Sequence, residues 1–176
     1  MIQLVPISNL KELNADFRQI YEEAFPPDER RNWHQLAELL TNPIFSLNGI
    51  YQELQLIGIL LIWNLDDFSF IEHFAIRDSM RGNGFGSQVI QQLIMQISNP
   101  VILEVEEPFT SDALKRITFY KRLNFSLFDG EYYQPPYSDE KNKVKMLLMS
   151  YPEKIEPEVF PWIKKRIYQT VYQLNE

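Results

Sequence analysis

The sequence has no cysteine and only two histidines among its 176 residues. A chain without thiols forms no disulfide, has no cysteine nucleophile and offers no cysteine ligands to a metal. The histidines, His34 and His73, are too far apart in sequence to suggest a zinc site. We therefore expect no disulfide framework, no thiol nucleophile and no metal centre.

Basic residues are also scarce, since 17 lysines and arginines stand against 24 acidic residues and the net charge is −7. Binding to nucleic acid requires basic patches, so we expect no such partner. The acidic balance favours a cationic amine as substrate, although it is equally typical of plain solubility. The longest apolar run, residues 57–63, is far shorter than a membrane span, and the N-terminus lacks a signal-peptide pattern. These absences predict a cytoplasmic protein without membrane association.

What the sequence does contain is a glycine-rich loop between a strand pattern and a helix pattern. Residues 70–76 are mostly apolar, and Gly82, Gly84 and Gly86 follow them closely. The next segment has apolar residues on one helical face, namely Val89, Ile90, Leu93, Ile94 and Ile97. A second apolar run covers residues 101–105. Strand, helix and strand in this order predict a βαβ unit with parallel strands and a right-handed crossover.

The position of the glycines predicts a pocket for a diphosphate. The first amides of a helix have no intrahelical partner, and the helix dipole favours negative charge there. Glycines let a phosphate approach these amides, and Arg81 adds a positive charge. Two other interpretations stay open. One is a plain turn, and the other is a dinucleotide-dependent oxidoreductase, although its Gly-x-Gly-x-x-Gly spacing differs from the spacing of Gly82, Gly84 and Gly86.

Two further helices are indicated by capping residues. Ser8 or Asn9, with Glu12 three residues after Asn9, predicts the start of the first helix. Ser111 or Asp112 predicts the start of the helix that follows the second strand of the βαβ unit.

Residues 81–86, together with the preceding strand at 71–76, resemble the acyl-CoA pyrophosphate loop of the GNAT superfamily of N-acyltransferases. Residues 103–106 and 117–125 resemble the next two segments of that family, in order and at familiar spacing. Asn124 stands where the family usually has glycine, and asparagine also tolerates the left-handed conformation that a helix end requires.

The resemblance covers about residues 1–150 and implies a fold. The expected class is α/β (α+β), with a central mixed, mostly antiparallel sheet of about seven strands that contains a splayed parallel pair and is flanked by helices. Residues 1–150 are expected to form this GNAT-like domain. Residues 151–176 are expected to form an extra C-terminal helix that packs on the same domain or on a partner.

The resemblance also implies a function. We expect an N-acetyltransferase that uses acetyl-CoA as co-substrate and a primary amine, on a small molecule or a peptide, as acceptor attacking directly. A homodimer is left open. The alternative is a non-catalytic module that binds acyl-CoA as a sensor or scaffold.

Cofactor-binding residues follow from the same resemblance. The backbone of Phe74, Ala75 and Ile76 is expected to lie along a V-shaped cleft and to offer free amides to the thioester carbonyl. The diphosphate is expected on the loop and the start of the helix, at Arg81, Gly82, Asn83, Gly84, Phe85, Gly86 and Ser87.

Three side chains are candidates for catalysis. Tyr120 matches the family tyrosine near the thioester sulfur and is the expected acid, since a phenol can protonate a thiolate. Glu72 is the first choice as base, and Glu104 on the paired strand is the second, because a carboxylate in an apolar cleft can have a pKa raised toward neutrality. If the strand is regular, His73 points away from Glu72 and is structural.

The acceptor side could also contain an aromatic wall for a cation. Its candidate members are Trp33, Tyr132, Tyr133 and Tyr137.

Overall fold

The computed structural model describes residues 2–174 of the chain, which form seven strands and five α-helices. The strands are β1 (Ile2–Pro6), β2 (Phe45–Gln52), β3 (Gln55–Asn64), β4 (Ser69–Ile76), β5 (Val101–Glu106), β6 (Ser126–Gln134) and β7 (Val144–Tyr151). The helices are α1 (Ala15–Ala24), α2 (Trp33–Leu39), α3 (Phe85–Gln96), α4 (Ser111–Arg122) and α5 (Phe160–Thr170). The predicted βαβ unit is therefore β4, α3 and β5.

All seven strands lie in one sheet, in the order β1-β2-β3-β4-β5-β7-β6. Neighbouring strands are antiparallel except for β4 and β5, which are parallel. The parallel pairing extends from Ser69 opposite Val101 to Ile71 opposite Leu103, and beyond this point the two strands separate. The predicted fold class, a mixed and mostly antiparallel sheet with a splayed parallel pair, is confirmed.

Each face of the sheet carries its own apolar core. Helices α1, α2 and α5 cover one side, which we call the α5 face, and helices α3 and α4 cover the other, which we call the α3 face. Side chains alternate along a strand. Accordingly Ile102 of β5 packs in the same core as Ile167 of α5, whereas its neighbour Leu103 packs in the same core as Val89 of α3.

Two helices begin at other residues than the sequence predicts. Asn9 and Glu12 do interact, but they enclose only a short 3₁₀ turn at Leu10–Glu12. Helix α1 begins after Asn14, whose side chain accepts a hydrogen bond of 3.0 Å from the Phe17 amide. Helix α4 is capped by Thr110 rather than by Ser111 or Asp112. In both helices the polar residue directly before the first turn accepts a hydrogen bond from a free amide of that turn. It does so as well as the residues that the sequence nominates would.

Helix α5 packs on the sheet of its own chain. Phe160 stacks on Phe128 with ring centroids 4.6 Å apart. Arg166 donates a hydrogen bond of 3.0 Å to the Leu65 carbonyl, and Tyr168 donates one of 2.6 Å to the Tyr133 carbonyl. The division into residues 1–150 and 151–176 stays a prediction. No helix within residues 2–174 has both the length and the apolar character needed to cross a bilayer.

Candidate active site

The centre of the candidate site is the fork where β4 and β5 separate. Ile71 and Leu103 are the last residues of the two strands that pair with each other. Glu72 and Glu104 are therefore the first residues beyond the pairing, one on each arm of the fork. The two carboxylates that the sequence nominates as bases thus stand at the same point of the sheet.

A β-bulge in β4 determines where Glu72 points. Ile71 pairs with Ile62 and His73 pairs with Leu61, so Glu72 has no partner in β3. A bulge of this kind interrupts the alternation of side chains. Glu72 and His73 consequently both face the α5 side, with the His73 Nδ1 atom 3.8 Å from a Glu72 carboxylate oxygen. The expectation that His73 points away from Glu72 is wrong, because the strand is not regular.

Glu72 is fully engaged by neighbouring side chains. Its carboxylate forms a buried ion pair with Arg31 at 2.7 Å and accepts hydrogen bonds from Trp63 at 2.5 Å and from Tyr137 at 2.8 Å. Burial raises the pKa of the Glu72 carboxyl, but Arg31 and these two donors outweigh it, so the pKa lies below its ordinary value. The structure thus gives Glu72 the properties of a permanently charged anchor.

His73 is enclosed by the protein. Its Nε2 atom is 2.8 Å from the Glu29 carbonyl, and its ring lies edge-on to Tyr21 and Phe25. Burial lowers the pKa of His73 against the opposite effect of the Glu72 charge. A neutral ring that links β4 to the segment between α1 and α2 is the role that these contacts support.

Glu104 has a different environment. It is only partly buried, and it accepts hydrogen bonds from the hydroxyl groups of Tyr132 and Tyr172, with both carboxylate oxygens 3.0 Å from the Tyr172 oxygen. The pKa of Glu104 is raised to about 8, with burial as the largest cause; the two tyrosine donors lower the pKa, and the charges of Glu72 and Glu29 add to the rise. Glu104 can therefore exchange a proton near neutral pH, which Glu72 cannot.

Glu29 is a third carboxylate near the fork, and sequence reasoning missed it. It ends a 3₁₀ turn at Pro27–Glu29 that Lys141 fixes through a hydrogen bond of 2.7 Å to the Pro27 carbonyl. Burial, together with the charge of Glu106, raises the pKa of Glu29 to about 7, against the lowering effect of Arg116. Only the structure reveals this proximity, because Glu29 lies far from the βαβ unit in sequence.

These carboxylates give the α5 face of the fork a negative character. Glu106 is neutralised in part by Arg116, whose Nη1 atom lies 2.5 Å from it. Among residues 2–174 there is no group of three histidine, aspartate or glutamate side chains arranged to hold a metal ion. The arrangement is suited to attracting a cation and accepting its proton.

The glycine-rich loop has the backbone that a phosphate cradle requires. Gly82 and Gly84 have φ angles of 80° and 77°, which side-chain-bearing residues rarely adopt. Gly84 is the N-cap of α3, and no side chain caps the helix there. The first amides of any helix have no intrahelical acceptor, and here no side chain among residues 2–174 takes that place. The space beside Gly82 is also open, since a Cβ atom there would meet no atom within 4 Å. The loop residues thus fit a diphosphate.

The side chains around the loop are held by local contacts. Arg81 donates a hydrogen bond of 3.0 Å to the Ile76 carbonyl and pairs with Asp78 at 2.5 Å, while more than half of its side chain stays exposed. Asn83 donates to the Met80 carbonyl at 3.1 Å. Phe85 and Gly86 begin α3. A groove of about 330 Å³ next to the loop is lined by Ser87, Leu114, Lys115, Thr118, Phe119 and Arg122.

The end of β4 forms one wall of the fork. Phe74, Ala75 and Ile76 pair with β3 on one side, whereas within residues 2–174 no strand pairs with them on the β5 side. Phe74 packs with the core of the α3 face and Ala75 with that of the α5 face. The backbone that was expected to contact a thioester is thus unpaired on the side of the cleft.

Tyr120 lies on the other face of the sheet from Glu104. It is buried in the α3-face core between Phe119 and Phe125, with ring centroids 5.0 and 5.4 Å away. Burial raises the pKa of Tyr120 well above its ordinary value, against a smaller lowering by Arg116. Because its pKa is raised, the hydroxyl remains protonated. Within the part of the chain described it has no hydrogen-bond partner, so it is able to donate.

The predicted aromatic wall does not form as one surface. Tyr132 and Tyr137 are buried and donate to Glu104 and Glu72. Trp33 packs edge-on to Phe17. Tyr132 and Tyr137 serve instead as hydrogen-bond donors to the carboxylates of the fork, whereas the Tyr133 ring lies under the Lys143 ammonium group at 4.7 Å.

Arg31 and Tyr172 were also missed by sequence reasoning. Arg31 follows another arginine in a polar segment, so its burial carries no local signal. Tyr172 belongs to the C-terminal segment, where the apolar stripe indicates only packing. Their partners, Glu72 and Glu104, lie 41 and 68 residues away in sequence.

Comparison with known proteins agrees with this fold. The model of the acetyltransferase (GNAT) family matches residues 10–125. A candidate acetyltransferase of that family from Bacteroides thetaiotaomicron is 30% identical, covers 99% of both chains and superposes with a TM-score of 0.89. The structure of a GNAT acetyltransferase from Elizabethkingia anophelis with acetyl-CoA bound has a TM-score of 0.59, is 14% identical and covers 85% of this chain and 96% of that one.

YjbC of Bacillus subtilis (strain 168), named as a candidate acetyltransferase, is 28% identical over 122 residues, or 67% of this chain. The match spans 62% of the length of YjbC.

Proposed function

Since the chain belongs to the GNAT family of acetyltransferases, we propose that it transfers an acetyl group from acetyl-CoA to a primary amine. The acceptor is a small molecule or a peptide, and its amine attacks the thioester directly. The observation that carries this proposal is the fork between β4 and β5, with the glycine-rich loop on one arm and a titratable carboxylate on the other.

Acetyl-CoA supplies an activated acyl group as a thioester. Support for its binding comes from the left-handed glycines, the uncapped start of α3 and the charge of Arg81. It also comes from the related fold that binds acetyl-CoA in the Elizabethkingia anophelis protein. The unpaired backbone at Phe74, Ala75 and Ile76 would donate hydrogen bonds to the carbonyl oxygen as it becomes negative.

Glu104 is the base in this proposal. The amine must be unprotonated to attack the carbonyl carbon, and Glu104 accepts the proton that the amine loses, directly or through a water molecule. Its pKa of about 8 suits this task. Glu72, the other candidate, is held as a charged partner of Arg31, and we assign it the role of fixing Arg31 and Tyr137 beside the site.

The function is tested by incubating the protein with acetyl-CoA and a panel of amines while measuring the release of free thiol. Turnover above the solvent background with at least one amine is the expected result. Tight binding of acetyl-CoA without turnover across small-molecule and peptide amines would instead favour a non-catalytic binding module.

Replacing Gly84 by glutamate should weaken acetyl-CoA binding about 10-fold, because it places a negative charge beside the diphosphate. Isothermal calorimetry measures this directly. Gly84→Ala introduces only the backbone strain, and Leu54→Glu adds the same charge at a side chain that is 98% exposed. Equal affinities of all of these proteins for acetyl-CoA would show that the loop is not part of the binding site.

Tyr120→Phe should lower turnover roughly 10-fold, which is less than general acid catalysis typically contributes, because a thiolate is already a stable leaving group. The affinity for acetyl-CoA should change little. Tyr151→Phe is the matched control, since Tyr151 also packs on Phe125, at 5.5 Å. Steady-state kinetics of the three proteins decide the question, and an unaltered rate in Tyr120→Phe would exclude this residue as the acid.

A further inference from the structure

The segment that follows helix α5 reaches the fork. The Val171 carbonyl accepts a hydrogen bond of 2.7 Å from Arg31, the cation that neutralises Glu72. The hydroxyl of the next residue, Tyr172, lies 3.0 Å from both oxygens of Glu104. Two consecutive residues of the C-terminal segment thus contact the fork: Val171 binds the partner of Glu72, and Tyr172 binds Glu104 itself.

Tyr172 is firmly held in this position. Its side chain is buried, and its ring packs against Tyr137 and Tyr168, with centroids 5.3 and 6.4 Å away. Tyr168 in turn donates to the Tyr133 carbonyl, which joins α5 to β6. Because the ring is enclosed, its hydroxyl cannot turn away from Glu104 without disturbing this packing.

A second tyrosine contacts the same carboxylate from another element. Tyr132 of β6 donates to one oxygen of Glu104, whereas Tyr172 spans both. Two donors on separate elements restrict the rotation of a carboxylate side chain, which would otherwise be free at the edge of the fork. This arrangement fixes the direction in which a free lone pair points.

We propose that Tyr172 is a positioning residue for Glu104, and that the segment after α5 is therefore a working part of the active site. This inference rests on the proposed role of Glu104 as the base. The family match ends at residue 125, so the contact is supplied by a region outside it.

The charge environment of Glu104 determines the signature of this role. The groups that face it are Tyr132 of β6, Tyr172 after α5, Glu72 of β4 with its partner Arg31, Glu29 before α2, and Tyr137 of the β6–β7 loop. The two tyrosines that donate to Glu104 stabilise its ionised form, and the neighbouring carboxylates oppose it. Loss of one donor should therefore raise the pKa of Glu104 by about one unit.

The test compares Tyr172→Phe with Tyr168→Phe, a substitution four residues earlier, in α5, that removes a hydroxyl bonded to a backbone carbonyl instead. We expect the rise of turnover with pH to move up by about one unit in Tyr172→Phe only. Turnover at pH 7 should fall about 10-fold and return to that of the unaltered protein at roughly pH 10. The part of the pH profile that comes from deprotonation of the acceptor amine is the same for all three proteins.

A ¹³C NMR titration of the glutamate carboxyl groups, with Glu104→Gln to assign the signal, measures the same shift without turnover. An upward shift in Tyr172→Phe with none in Tyr168→Phe supports the inference. An unmoved Glu104 signal, or equal shifts in the two variants, overturns it. If no amine is acetylated by the unaltered protein, the proposed function fails while the titration still reports on Tyr172.

Discussion

Glu104→Gln is expected to reduce turnover by about 10²- to 10⁴-fold, the range typical of general acid–base catalysis. Glutamine keeps the size of the side chain and its hydrogen-bonding oxygen, but it accepts no proton. The rate of the unaltered protein should rise with pH through a pKa of about 8, because Glu104 must be ionised to act. This rise, the limb of the pH–rate profile near pH 8, should disappear in the variant. Only the rise caused by deprotonation of the acceptor amine should remain.

Two controls accompany this measurement. Glu107→Gln removes a carboxylate three positions further along, which pairs with Lys145 at 2.8 Å, and should leave the rate and its pH dependence unchanged. Glu72→Gln should reduce stability and keep the limb, displaced to somewhat lower pH because one of the charges that raise the pKa of Glu104 is removed. If Glu104→Gln retains more than a tenth of the rate while Glu72→Gln loses the limb, Glu72 is the base and the present assignment is wrong.

Replacing Arg31 by methionine should lower the free energy of unfolding by about 3–5 kcal/mol, the usual cost of leaving one member of a buried ion pair alone. Methionine fills similar space and can keep part of the contact with the Tyr137 ring, over which the guanidinium lies at 4.7 Å. It cannot neutralise Glu72 or donate to the Val171 carbonyl. Urea denaturation measures the change.

The pH dependence of this loss identifies its cause. In the unaltered protein the pKa of Glu72 is lowered, so its contribution is present above the unfolded pKa and is lost as the pH falls through the folded one. Without Arg31, burial should raise the pKa of Glu72 above the unfolded value. The deficit of Arg31→Met should then grow as the pH rises through the unfolded pKa and shrink in acid.

Matched variants complete this experiment. Arg18→Met breaks an exposed ion pair with Glu22 on α1 and should lower the free energy of unfolding far less. Combining Arg31→Met with Glu72→Gln should recover much of the loss, since no buried charge is then left alone. A double variant no more stable than the single one would show that Arg31 acts through packing rather than through charge.

Local patterns were sufficient to predict the centre of the fold. The glycines at the start of α3 and the apolar runs on either side identify a βαβ unit, because each depends only on residues close in sequence. The left-handed conformation at Asn124, with φ of 64°, was likewise predictable from the residue type. The splayed parallel pair came from the family resemblance, since nothing in either strand indicates where pairing ends.

The environment of each carboxylate was not predictable. A bulge adds one residue to β4 without any glycine or proline to mark it, and this single residue reverses the direction of Glu72 relative to Phe74. Arg31 and Tyr172 approach from 41 and 68 residues away. These contacts distinguish a permanently charged Glu72 from a titratable Glu104, although the two look alike as isolated glutamates in neighbouring strands.

The fork also has a consequence for how two molecules share the site. Tyr120 lies on one side of the sheet and Glu104 on the other, and β4 and β5 separate between them. In the proposed function, the coenzyme and the acceptor would each approach from a different face of the sheet. Both would then be bound at the same time, and the acetyl group would pass from one to the other without a covalent intermediate on the protein.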